Sequence, residues 1–146
     1  MKNVSLLLLI FGMLFFYSGN SFAHSWVITK EGKTECKQVR IGIANVRILL
    51  QDGKKIAIPF KKVNSFSQEG RIYTRLCLYR NGRSCQRAVF MELVKSRGAL
   101  SLYKYLDTSV DPTFESFYVY KGDVFCYALD ESVKRDVVDK QLRYFG

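Results

Sequence analysis

The chain has 146 residues, with 23 Lys or Arg against 13 Asp or Glu, a formal net charge of +10, four Cys and one His. The only histidine is His24, so neither a Ser-His-Asp triad nor a copper site built on two imidazoles is expected. The excess of positive charge points to anionic partners, and a chain of this size can bury a genuine core.

The chain opens on a targeting pattern. Lys2 supplies a positive start, residues 4–16 (VSLLLLIFGMLFF) are almost wholly apolar, and Ser21-Phe22-Ala23 offers small residues for a signal peptidase. The apolar run is shorter than the roughly 20 residues a spanning helix needs. Residues 1–23 therefore read as a signal peptide cleaved after Ala23. No Cys stands at the new terminus to carry a lipid. Residues 24–146 are left as a single β-rich domain, exported to the periplasm, the cell envelope or the medium, with no transmembrane segment after cleavage.

Glycine-bearing turns then punctuate the chain at Glu31-Gly32, Asp52-Gly53, Glu69-Gly70, Asn81-Gly82, Arg97-Gly98 and Gly122-Asp123. Between them lie runs rich in Val, Ile, Phe and Tyr at 26–30, 39–51, 55–60, 72–79, 85–94, 99–106, 116–120 and 124–129. Pro59 marks an edge or a strand end. Connections this short leave no room for crossover helices. The expected fold is mainly β (α+β), an antiparallel meander of seven or eight strands forming a curved sheet or partly open barrel. One amphipathic helix is expected over 131–144 after an Asp130 cap, with Val133, Val137, Val138, Leu142 and Phe145 on the stripe that packs on the sheet.

The hairpin at 88–106 is the expected centre of the sheet. A basic turn at Lys95-Ser96-Arg97-Gly98 pairs Val94 with Ala99. Met91 then faces Leu102 and Leu93 faces Leu100 on one side, with Phe90 facing Tyr103 and Glu92 facing Ser101 on the other.

Four cysteines in an exported chain suggest two disulfides, for which three connectivities arise. A three-residue loop Arg80-Asn81-Gly82 sets Cys77 across from Cys85; a two-residue turn would oppose Cys77 to Gln86 instead. The expected bridges are 77–85 and, by remainder, 36–126.

Seven antiparallel strands followed by a C-terminal helix resemble pleckstrin-homology-like barrels in element order. The phrases ILLQDGKKIAIPFKKV, FMELVKSRGALSLYKY and FYVYKGD resemble small exported proteins of the Bacteroidota that have no assigned function. That resemblance implies a cell-envelope setting and no activity.

Catalytic signals are thin. Ser101 and Lys104 match S-x-x-K, but on a strand an offset of three sends them to opposite faces. Asp107, Asp111 and Glu115 are the carboxylates a small hydrolase would use, or a calcium site, without the glycine-bent pattern of an EF-hand. No cofactor, metal or nucleic-acid partner is expected, and a non-catalytic binding domain is the leading expectation. In a strict meander one end gathers Lys61, Lys62, Arg71, Lys95, Arg97 and Lys121 against only Glu69 and Asp123. That rim is the expected site for an anionic envelope component, the alternatives being an unknown protein partner or strand addition to a larger assembly.

Overall fold

A computed structural model describes residues 24–80, 84–107 and 114–129, together with Arg143. The leader, Asn81 to Arg83, the loop 108–113 and the expected helix over 131–144, Arg143 apart, lie outside the described residues.

The described chain is antiparallel β. Strands β1 (Ser25–Thr29) and β2 (Gly32–Cys36) form a hairpin, and after an excursion the chain returns as β6 (Val63–Gln68) on the other side of β1. From there β7 (Arg71–Arg80), β8 (Ser84–Arg97), β9 (Leu100–Asp107), β10 (Phe114–Lys121) and β11 (Val124–Leu129) follow as a meander. The eight-stranded sheet runs β2-β1-β6-β7-β8-β9-β10-β11 and is not closed. The excursion is a second sheet of β3 (Gln38–Ile41), β4 (Asn45–Leu49) and β5 (Lys55–Pro59), followed by a 3-10 turn, Phe60–Lys62.

The expected mainly-β antiparallel sheet is therefore present, but two strands, β2 and β6, lie outside the expected runs and one run is divided. β2, GKTEC, buries only Cys36 and shows no apolar alternation, as suits an edge. β6, VNSFSQ, is polar at four of its six positions although it lies inside the sheet. The run at 39–51 breaks at Gly42, whose N–H donates to the Asn45 carbonyl at 2.8 Å and closes a tight turn.

Tight turns fix the register elsewhere. Glu69 and Gly70 join β6 to β7 with φ of 54° and 76°, the pair of positive values that a two-residue hairpin of matching twist requires. The β8–β9 turn is Gly98-Ala99, so Arg97 pairs with Leu100 and Ser96 with Ser101. A bulge at Val94 shifts the rest, giving Leu93 opposite Tyr103 and Glu92 opposite Lys104. This corrects the expected pairing of Val94 with Ala99, which assumed a longer turn and no bulge.

The two faces of the large sheet carry different cores. One cross-strand row, Val27–Phe66–Tyr73–Glu92–Lys104–Phe117, crosses six strands on a single face. Its Val27 and Phe66 end meets Val39, Val46 and Ile48 of the small sheet, forming a buried cluster with Cys36 and Val63. The neighbouring row points the other way, where Leu76, Leu78, Met91, Tyr103, Tyr118 and Tyr120 form the second cluster. There the sheet curls: Tyr79 of β7 stacks on Phe125 of β11 with ring centroids 4.5 Å apart. On the first face Leu102 and Val119 are also fully buried, against Phe117 and Leu129.

Cys77 and Cys85 form a disulfide, as expected, with Cα atoms 5.4 Å apart. Its geometry differs from the expectation: Cys85 pairs with Tyr79 and Cys77 with Ala88, so the bridge is diagonal across a bulge. The expected 36–126 bridge is not formed. Cys36 is a buried thiol on β2 and Cys126 an exposed thiol on β11. These strands are the two edges of the large sheet with six strands between them. Seven spacings of about 4.8 Å along a curved sheet are far beyond what a disulfide spans.

Candidate functional site

The six basic residues expected to share a rim divide into two groups. Arg71, Arg97 and Lys121 stand at the sheet end marked by Gly70, Gly98 and Gly122, with Lys95 two residues inward of Arg97 on β8. Arg97 and Lys121 flank Leu100 in one row, two strands and about 10 Å apart. Lys61 and Lys62 are not with them. They precede Val63, which pairs with Thr29 at the opposite end of the sheet. The strict meander that joined all six is interrupted by the small sheet.

Part of the remaining rim is neutralised from within. Glu92 lies between two cations, with Arg71 Nη1 at 3.8 Å and Lys104 Nζ at 3.3 Å. Its pairing with Lys104 places it on the face that Arg71 can reach from β7. The rim is therefore less basic than its composition implies.

The uncompensated charge sits on the small sheet instead. Between Lys37 and Lys62 there are seven Lys or Arg and one acid, Asp52. Asp52 is committed to its own turn, where Oδ1 accepts the Lys54 N–H at 2.9 Å. The strand pattern sorts this segment into two faces. Val39, Ile48 and Ile56 form one row, Ile41, Val46 and Ile58 another, and this side packs toward the large sheet. The alternate rows, Gln38–Leu49–Lys55 and Arg40–Arg47–Ala57, face outward.

Arg40 and Arg47 are thus directly opposed on neighbouring strands, both exposed. Their Cβ atoms are about 5 Å apart by strand geometry. No carboxylate among the described residues pairs with either guanidinium. Two like charges in this position repel, and an anion between them removes the repulsion while accepting from both planar forks. Gln38 and Lys55 add a neutral donor and a third cation around an open cavity of about 470 Å³ that these side chains line with Leu49 and Ala57. The sequence hides this pair, because 39–51 reads as one unbroken apolar run. Gly42 and Asn45, three residues apart inside that run, are the signal that divides it.

A second cavity of about 480 Å³ lies between the β1–β2 hairpin and β5, lined by Lys33, Lys62 and Glu31 among others. It mixes charges, and Lys33 is engaged with Glu35 at 3.6 Å.

The catalytic candidates separate. Asp107 pairs with Phe114 and Glu115 with Leu106, so the two carboxylates occupy adjacent rows and opposite faces. Asp111 lies outside the described residues. Ser101 and Lys104 likewise point to opposite faces; Ser101 Oγ meets Ser96 Oγ at 2.8 Å while Lys104 pairs with Glu92. His24 is exposed at the start of the described chain. No helix among the described residues is long and apolar enough to cross a membrane. No protein-family model, curated protein or solved structure matches the chain.

Proposed function

We propose that this chain is an exported, non-catalytic binding domain that recognises a phosphate- or carboxylate-bearing component of the cell envelope on the outer face of its small sheet. The observation that carries the reading is the direct pairing of Arg40 with Arg47, with no carboxylate of the described residues paired to either. Opposed like charges destabilise a sheet, whereas a bound oxyanion satisfies both guanidinium forks. The seven cations against one acid between positions 37 and 62 extend the same field around the pair. The leader pattern and the Cys77–Cys85 disulfide support export.

The test is binding of inorganic tripolyphosphate across a salt series, by the wild type and by the Arg40→Glu, Arg47→Glu double variant. Salt-sensitive binding that the double variant loses supports the reading. Equal affinity of the two proteins contradicts it.

A second reading, addition of a strand from another molecule, is favoured by β11. This edge strand, VFCYAL, carries no charge, and its Val124 and Tyr127 are 64% and 42% exposed. Sedimentation that stays monomeric at high protein concentration removes self-association through this edge.

A further inference from the structure

We propose that the β3–β4 hairpin is a membrane-docking tip: Ile43 enters the surface of an anionic lipid bilayer while Arg40, Arg47, Lys61 and Lys62 engage headgroup phosphates. The proposal rests on the anion-binding reading of the small sheet and names the partner that presents the anion.

Ile43 is fully exposed, the most exposed large apolar side chain among the described residues, and Ile41 beside it is 51% exposed. An isolated exposed Ile is ordinary. Its setting here is not. Ile43 stands at the extreme of a hairpin whose inward side buries Val39, Val46 and Ile48 and whose outward side carries the Arg40–Arg47 pair. An apolar tip ringed by cations matches the layered chemistry of an anionic bilayer, phosphate outside and hydrocarbon beneath.

The tip is also held in shape. The Gly42 N–H closes it on the Asn45 carbonyl, and a Cβ on Gly42 would lie 3.0 Å from that oxygen. The Phe60 N–H donates to the Ala44 carbonyl at 2.9 Å. The Phe60 ring packs on Phe90 of the large sheet with centroids 4.8 Å apart. The 3-10 turn that carries Lys61 and Lys62 is thereby fastened beside the tip. Two of the six residues expected at the rim acquire a role at this other site. A preformed tip loses little conformational entropy on docking.

The experiment uses the protein as a secreting host processes it, with vesicles of equal phosphatidylglycerol and phosphatidylcholine, vesicles of phosphatidylcholine alone, and inorganic tripolyphosphate as a soluble anion. The expected result is co-sedimentation with the anionic vesicles only. Ile43→Ser weakens that binding about tenfold or more, leaves tripolyphosphate affinity unchanged, and melts with the wild type because Ile43 is buried against nothing. Lys61→Gln with Lys62→Gln weakens vesicle binding by roughly fivefold per cation. An Ile43→Trp protein shows a blue-shifted emission increment over wild type on anionic vesicles.

Vesicle binding unchanged by Ile43→Ser overturns insertion of the tip. Binding of tripolyphosphate without vesicle binding overturns the membrane as partner and leaves the anion-binding reading standing. Binding of neither overturns both.

Discussion

The hydroxyl of Tyr120 on β10 donates to the backbone carbonyl of Cys77 on β7, joining two strands that are separated in the sheet by β8 and β9. This contact spans the inside of the curl, where Tyr120 is fully buried among Tyr103, Phe125 and Leu78. Tyr120→Phe should cost about 1–2 kcal/mol in denaturant unfolding, because it removes a buried donor and leaves the ring in place.

The same residue sets an alkaline limit on stability. Burial raises the Tyr120 phenol above its ordinary range, and the neighbouring phenols of Tyr79, Tyr118 and Tyr103 raise it further. The folded state therefore holds the proton more tightly than the unfolded state. Its contribution is complete below the unfolded value of about 10 and declines as pH rises beyond it. The denaturation midpoint of the wild type should fall more steeply above pH ~10 than that of Tyr120→Phe. Parallel curves would remove Tyr120 as the cause.

The Cys77–Cys85 disulfide closes a short loop, with a sequence separation of 8. Replacing both residues with Ser should lower stability by about 2.5 kcal/mol on the chain-entropy scale. The described fold should survive, since the bridge fastens one hairpin and neither buried cluster depends on it.

The two remaining cysteines should differ in reactivity. Cys126 is exposed, whereas Cys36 is 1% exposed and burial pushes its thiol up, against a weaker opposing hydrogen bond with the Gln38 backbone. A thiol reagent at neutral pH should modify Cys126 in the native protein and Cys36 only after unfolding. Protection of both thiols in denaturant would restore the 36–126 bridge.

Arg47→Glu should separate binding from stability. It turns an opposed like-charge pair into an opposed ion pair with Arg40, adding about 0.2–1 kcal/mol at low salt. It should also abolish tripolyphosphate binding. A variant that becomes less stable would mean that the Arg40–Arg47 geometry is not as described.

How much of this was legible in the sequence depends on how strongly each segment alternates. The 88–106 hairpin was visible from its apolar runs, and Gly98, with φ of 58°, does sit in the turn. Its register was not visible, because the Val94 bulge inserts one residue without any change in composition. β6 was hidden because Asn64, Ser65, Ser67 and Gln68 do not look like the interior of a sheet. Its strand pairs β1 and β7 through the backbone, which the polar side chains do not oppose. Missing β2 and β6 made the small sheet look like part of the meander, and that placed Lys61 and Lys62 at the wrong end. The Arg40–Arg47 opposition depends on the turn at Gly42, which the apolar run at 39–51 conceals.

The most direct test of the central claim is an amide chemical-shift map of the protein titrated with inorganic tripolyphosphate at low salt. Anion recognition by the small sheet predicts the largest shifts at Gln38, Arg40, Arg47 and Lys55, fading as salt is raised. Shifts concentrated at Arg71, Arg97 and Lys121, or none at any position, would contradict it.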